Sequence, residues 1–345
     1  MKQYRILVVD DSAFMRRAIS LMLDNDPQLF VVGIARNGEE AVEKVKRLQP
    51  DLVTMDVEMP KMNGLRALEE IMNSNPVPVV MLSSRTGEGA KESLEALDLG
   101  AVDFFLKDYL LKNHGDGNQT EEFILRLKGI VETKVSSSSP IKTTPEIGNK
   151  LRKKRQTDLI FIGCSTGGPS ALQKILPHFP KNFSIPIVVA QHMPPGFTQP
   201  LAERFDTLCQ LQVREAQNGE TVKAGTIYIA PSGYQTSFEK KLDDSVIFKV
   251  NKHDSDKALY KPSIDISLES AAPIYRDRLL SVILTGMGMD GMRGCGFVKK
   301  HDGNVFVEAE ESCIVYGMPK AVLEAGYVDG QYEVSKIYEE IMSFI

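Results

Sequence analysis

Short, almost wholly apolar runs that stop at polar or reactive side chains constrain this chain more than any other feature. RILVVD (5–10), FVVGIA (30–35), DLVTMD (51–56), VPVVMLSS (77–84) and AVDFFLK (101–107) alternate with stretches whose apolar residues fall at helical spacing. A strand apolar on both faces belongs in the middle of a layered fold, and strand–helix alternation implies a parallel sheet covered by helices on both sides. Among the helical stretches, 12–26 places Phe14, Ala18, Leu21 and Met22 on one face behind a Ser12 cap. Another, 37–49, starts with Asn37 and carries Glu40 three residues on. A third, 120–134, is acidic at its start and apolar at Ile124, Leu127, Ile130 and Val131.

The pattern breaks and then resumes. Residues 135–156 are rich in Ser, Pro, Thr and Lys without an apolar period, so they bury too little surface to offset the entropy of ordering. From Asp158 onward LIFIGC (159–164), IPIVVAQHM (185–193) and LLSVILTG (279–286) read as buried parallel strands. TIYIAP, YQTSFE and SVIFKV lie close together, separated by turn residues, and predict an antiparallel excursion. The expected organisation is therefore α/β throughout. A doubly wound, flavodoxin-like domain occupies 1–133, a linker 134–156, and a second α/β domain with a mostly parallel sheet 157–345. A length of 345 residues accommodates two such domains.

Composition narrows the classes of function. With 42% hydrophobic and 25% charged residues the chain is of globular type, and a net charge of −5 lacks the basic footprint of a nucleic-acid binder. The LRKKR cluster at 151–155 reads as a solvated linker end. No apolar run is long enough to span a bilayer, and acidic residues follow the first one at once, unlike a secretory signal. Cys164, Cys209, Cys295 and Cys313 form neither a CxxC pair nor a disulfide framework, so a reduced, cytoplasmic protein is expected.

In a doubly wound sheet functional side chains gather beyond the carboxyl ends of the strands. In the first domain these ends carry Asp10 and Asp11, then Asp56, then Ser83 and Ser84, then Lys107. Three clustered carboxylates repel unless a cation lies among them, and an all-oxygen site suits Mg²⁺. One carboxylate could then attack a phosphoryl group, with Lys107 pairing the charge created and Ser83 hydrogen-bonding a phosphoryl oxygen.

In the second domain the same rule applies to GCSTGGP. A serine hydroxyl needs a base, and a sharp strand-to-helix turn eased by Gly163, Gly167 and Gly168 would lift Ser165 clear of the sheet. Of the five histidines, His192 alone ends a predicted strand; His114 lies in a polar loop and His178 precedes Pro180. Asp290, in the glycine-rich loop after LLSVILTG, can orient an imidazole. From spacing alone, an esterase and a nucleotide-binding module fit GCSTGG about equally, and Cys164 is read as a buried thiol beside the serine.

VVDDS, MDVEMPKMNG, MLSS and FFLK together resemble the receiver domains of two-component response regulators, over about 2–133. The resemblance implies that Asp56 is phosphorylated by a histidine kinase. It also implies that Asp10, Asp11, Asp56 and the carbonyl of Glu58 hold Mg²⁺, and that Phe104 reorients with Ser83. Asp108 departs from the proline usual after the lysine, which bears on the loop that follows. IGCSTGGP, QHMPPGFT, YIAPSGY, KPSIDISLESAA, LTGMGMDG and YGMPKAV, in that order after a receiver, resemble the chemotaxis protein-glutamate methylesterases of the CheB type, over essentially the whole chain.

That resemblance implies a Ser165–His192–Asp290 triad and an oxyanion hole from the N–H groups of Met287 and Thr166. The implied substrates are glutamate methyl esters of chemoreceptors, with deamidation of receptor glutamines as a second activity and no cofactor in the catalytic domain. It further implies activation by phosphorylation from the chemotaxis kinase, and neither nucleic-acid binding nor direct membrane insertion. Met289 and Gln235 depart from the asparagine and histidine common at their positions, and are expected to tune the rim.

Overall fold

The computed structural model describes residues 2–84, 87–111, 118–136, 156–252 and 259–345. Most of the expected linker, with its LRKKR cluster, and both His114 and His253 lie outside the described residues. The chain divides into two compact units, Met1–Ser139 and Pro140–Ile345.

The first unit runs β1 (Tyr4–Val9), α1 (Ala13–Asp24), β2 (Leu29–Ala35), α2 (Gly38–Leu48), β3 (Leu52–Asp56), α3 (Gly64–Ser74), β4 (Val79–Ser83), α4 (Gly87–Asp98), β5 (Asp103–Leu106), α5 (Lys107–Leu111) and α6 (Asn118–Ser136). Its strands form a five-stranded sheet in the order β2-β1-β3-β4-β5, and every pair is parallel. The expected caps form: Ser12 accepts the Met15 N–H, and Asn37 accepts the Glu40 N–H at 3.0 Å. The buried face of α1 is not the expected one. Met15, Ile19 and Leu23 pack inward, whereas Phe14 is 68% and Leu21 46% exposed. Two apolar stripes lie about 100° apart on this helix, and contact with the sheet selects one of them. In α6, Phe123, Leu127, Ile130 and Val131 are buried.

The second unit runs β6 (Leu159–Cys164), α7 (Gly168–Gln173), β7 (Ile187–Gln191), α8 (Thr198–Leu208), β8 (Gln212–Glu215), β9 (Thr226–Ile229), β10 (Gln235–Lys240), β11 (Val246–Asn251), α9 (Ile264–Tyr275), β12 (Leu279–Ile283), α10 (Met292–Lys300), β13 (Asn304–Glu308), α11 (Met318–Glu324), β14 (Gly330–Tyr332) and α12 (Val334–Phe344). Its main sheet has seven strands in the order β14-β13-β12-β6-β7-β9-β8, all parallel, while β10 and β11 form a separate antiparallel pair.

The antiparallel excursion is thus shorter than expected. TIYIAP supplies β9, a parallel strand between β7 and β8. All four of its residues are buried, so it needs cover on both faces, which a two-stranded ribbon cannot give. β6 is central: the chain first places β7, then β8 at the edge and β9 between them, and afterwards builds the other side through β12, β13 and β14. This reversal is the topological switch point at which α/β sheets form their sites. Among the described residues no helix is long and apolar enough to cross a membrane.

Two candidate active sites

In the first unit, register brings the acidic residues together. Asp10 follows β1 and Asp56 ends β3, its neighbour in the sheet, and both are buried while Asp11 is exposed. Carboxylate oxygens of Asp10, Asp11 and Asp56 lie within 4.8 Å of one another. Lys107, at the end of β5, reaches back with Nζ 3.0 Å from Asp10 Oδ2 and 2.5 Å from Asp56 Oδ2. Burial drives the Asp56 carboxyl up from 3.8 to about 6, and the Asp10 charge adds to this against the pull of Lys107. Burial alone would lower the Lys107 ammonium, but its two carboxylate partners outweigh that and raise it.

A cavity of about 480 Å³ opens here, lined by Asp11, Asp56, Glu58, Ser84 and Lys107 among others. These acceptor oxygens, clustered with incomplete neutralisation and open to the cavity, fit a hard divalent cation. Ser84 rather than Ser83 lines the cavity, because the Ser83 hydroxyl donates to the Gly89 carbonyl at 3.0 Å and to that of Ser84. Phe104 is buried on β5. Asp108, the unexpected residue after the lysine, lies in the first turn of α5.

In the second unit, β6 lies between β7 and β12, so the chain ends that follow these three strands meet. Ser165 follows β6 and His192 follows β7; the His192 N–H donates to the Cys164 carbonyl and the Ser165 N–H to that of Thr285, both at 3.0 Å. The turn after Ser165 is tight, with the Gly168 N–H donating to the Ser165 carbonyl at 2.7 Å and Gly167 at φ 78°. Gly163 plays a different part from the one expected. It lies inside β6, and a Cβ there would stand 2.8 Å from the Ile264 side chain, so its role is close packing of α9.

Asp290 comes to the same rim through a carboxylate saturated with donors. Oδ2 accepts from His192 Nε2 at 2.8 Å and the Ile264 N–H at 2.7 Å; Oδ1 accepts from Ser263 Oγ and the Asp265 N–H, each at 3.0 Å. Burial would raise its pKa, but His192 and the two backbone donors prevail and hold it below the ordinary value. Ser165 is 3%, His192 6% and Asp290 9% exposed. With Nε2 engaged by Asp290, the buried His192 Nδ1 has no hydrogen-bond partner among the described residues. Thr166 is buried, its carbonyl accepting from the Thr285 hydroxyl at 2.9 Å, and Met287 lies in the loop leading to Asp290.

Other side chains support this rim. The Gln191 amide donates to the carbonyls of both Ser165 (3.0 Å) and His192 (2.9 Å), and its oxygen accepts from Cys164 Sγ at 3.0 Å. Cys164 is buried, with its thiol pushed well up by burial. Asp265, in the first turn of α9, accepts from the Gly291 and Gly294 N–H groups, anchoring the Asp290 loop and the start of α10 to α9. Gln235 is buried and bonds at both ends of its amide, to the Tyr260 carbonyl and the Ser263 N–H at 2.8 Å each. Met289 is exposed. Gln191 opens QHMPPGFT and Ser263 lies within KPSIDISLESAA, with Tyr260 just ahead of it, but nothing in their spacing reveals these contacts.

Comparison with known proteins places both units. Residues 160–341 match the CheB methylesterase family and residues 6–113 the response regulator receiver domain. The chain is 42% identical over 353 residues to the protein-glutamate methylesterase/protein-glutamine glutaminase of Thermotoga maritima, covering 99% of this chain and 98% of that one. It is 42% identical over 355 residues to the protein of the same name from Oceanobacillus iheyensis, covering 100% and 99%. Among solved structures, the CheB methylesterase catalytic domain of Thermotoga maritima is 44% identical, with a TM-score of 0.53, covering 55% of this chain and 100% of that one.

Proposed function

Because the chain belongs to the CheB methylesterase family, with a response regulator receiver domain ahead of the esterase domain, we propose that it is a cytoplasmic, phosphorylation-controlled protein-glutamate methylesterase and protein-glutamine glutaminase acting on chemoreceptors. One observation carries the catalytic part. A buried imidazole is held by Asp290 through Nε2, and its Nδ1 has no partner among the described residues at the rim that carries Ser165.

Nδ1 therefore accepts the Ser165 proton as the hydroxyl oxygen attacks the ester carbonyl. Asp290 fixes the tautomer with the proton on Nε2 and stabilises the imidazolium that forms. The N–H groups of Met287 and Thr166 stabilise the developing oxyanion. His192 returns the proton to the departing methoxide, releasing methanol and leaving an acyl-serine. Water, deprotonated by His192, then frees the glutamate carboxylate and restores the hydroxyl. A glutamine side chain follows the same course with ammonia as leaving group.

In the receiver, Asp56 accepts a phosphoryl group from the chemotaxis histidine kinase. Asp10, Asp11, Asp56 and the Glu58 carbonyl would hold Mg²⁺, which when bound offsets the phosphoryl charge. Lys107, already within hydrogen-bond distance of Asp56, pairs with the phosphoaspartate, and Ser83 and Phe104 transmit its formation. The test is methanol release from methylated receptor by the full chain and by Ser165→Ala, each with and without a phosphodonor. Release should vanish in the variant and rise with the donor in the natural protein. Release by Ser165→Ala at the natural rate would refute the mechanism.

A further inference from the structure

Tyr260 lies on the face of the imidazole: its ring and that of His192 are 4.2 Å apart between centroids and inclined by only 10°. Its hydroxyl comes within 3.5 Å of where a Cβ on Gly288 would stand, in the loop between Met287 and Asp290. The phenol therefore spans from the base to the loop that carries the oxyanion donor and the orienting acid. The backbone beneath it is fixed by the Gln235 amide, which takes the Tyr260 carbonyl at one end and the Ser263 N–H at the other. Ser263 in turn donates its hydroxyl to Asp290. One short segment thus stacks on the base and supplies a donor to the acid.

We propose that Tyr260 is a positioning residue for His192, and that Gln235 holds it in place. This inference rests on the esterase function proposed above. Two consequences follow from the stack. The ring plane of His192 is restrained about its bond to Asp290, so Nδ1 keeps its direction when the Ser165 proton arrives. The electron-rich face of the phenol also lies against a ring that becomes a cation in the transition state, and a desolvated cation over an aromatic face is attracted to it. Both effects favour the transition state over bound ester, so they belong in kcat rather than in KM. They require an aromatic face and not the hydroxyl. Sequence could not disclose this contact, because Tyr260 and His192 are far apart in the chain and Tyr260 belongs to no element of regular structure.

The experiment compares Tyr260→Phe, Tyr260→Leu and Tyr260→Ala in the full-length, phosphodonor-activated protein. It measures kcat and KM for methanol release from methylated receptor, with thermal midpoints as a check on folding. Tyr260→Phe should stay within about twofold of the natural protein, whereas Tyr260→Leu and Tyr260→Ala should lose roughly tenfold in kcat at unchanged KM. Gln235→Ala should reproduce part of that kcat loss. A leucine variant as fast as the natural protein, a phenylalanine variant as slow as alanine, or a loss confined to KM would each overturn the proposal. Ser165→Ala runs alongside: if it retains turnover the esterase mechanism itself fails, and if it is inactive while Tyr260→Ala is unimpaired only the stacking inference fails.

Discussion

Replacing Asp290 by asparagine changes one atom and should disable the site, for reasons that can be counted. The carboxylate meets four donors, two on each oxygen, and every contact is 2.7–3.0 Å. An asparagine has one oxygen, so its NH₂ must face either His192 and the Ile264 N–H or Ser263 and the Asp265 N–H. In the first orientation the imidazole must present a lone pair at Nε2 to the amide, which moves the ring proton to Nδ1, the atom that should take it from Ser165. In the second, the tautomer survives but the charge that stabilises imidazolium is gone. Either way a buried backbone N–H points at an NH₂ and goes unpaired, at a cost of about 1–3 kcal/mol.

Turnover should fall by roughly 10³–10⁴, an increase of about 4–5.5 kcal/mol in the barrier. The midpoint of the catalytic unit should drop by roughly 3–10 °C. Single-turnover methanol release from methylated receptor measures the first, and calorimetry of the same preparation the second. More than a tenth of natural turnover in Asp290→Asn, or an unchanged midpoint, would refute this account of the carboxylate.

Three other perturbations have expected outcomes. Asp56→Asn should abolish phosphotransfer from the kinase while leaving Ser165 chemistry intact. Because burial raises the Asp56 pKa from 3.8 to about 6, the fold favours the protonated acid, so the ionised form weakens the receiver as pH rises through that window. Asp56→Asn should therefore stabilise the receiver at neutral pH by up to about 3 kcal/mol, less what Lys107 loses with its partner, and denaturant melts at pH 4 and pH 7 would show the gain only at the higher pH. Gly168→Ala would place a Cβ 2.0 Å from Gln191 Oε1, so it should displace the amide that ties Ser165 to His192. It should lower kcat together with about 1–3 kcal/mol of stability, read by kinetics and melting. If activation by phosphorylation means that the unphosphorylated receiver restrains the esterase, deleting residues 1–134, which leaves the second unit with its own apolar core, should raise basal methanol release; a slower truncated enzyme would overturn that reading.

Much of the molecule was legible in the linear chain because the signals are local. An apolar run of strand length says that a segment is buried whatever surrounds it, and RILVVD and LIFIGC became β1 and β6 on that ground. The strand-end rule then marked Asp10, Asp56, Lys107, Ser165 and His192, since it needs only where a strand stops. Caps were equally readable, because Ser12 and Asn37 act within three residues of themselves.

Tertiary structure decided what depends on distance in space. It chose which of two apolar stripes on α1 faces the sheet, and it moved β9 from a ribbon into the main sheet, since both choices depend on partners distant in sequence. It set which nitrogen of His192 meets Asp290, and it turned the Ser83 hydroxyl toward Gly89. It gathered Gln191, Gln235, Tyr260 and Ser263 into the supports of one rim. Periodicity reports whether a residue is buried; which neighbour it is buried against is fixed by strand order and by the crossovers that make β6 central.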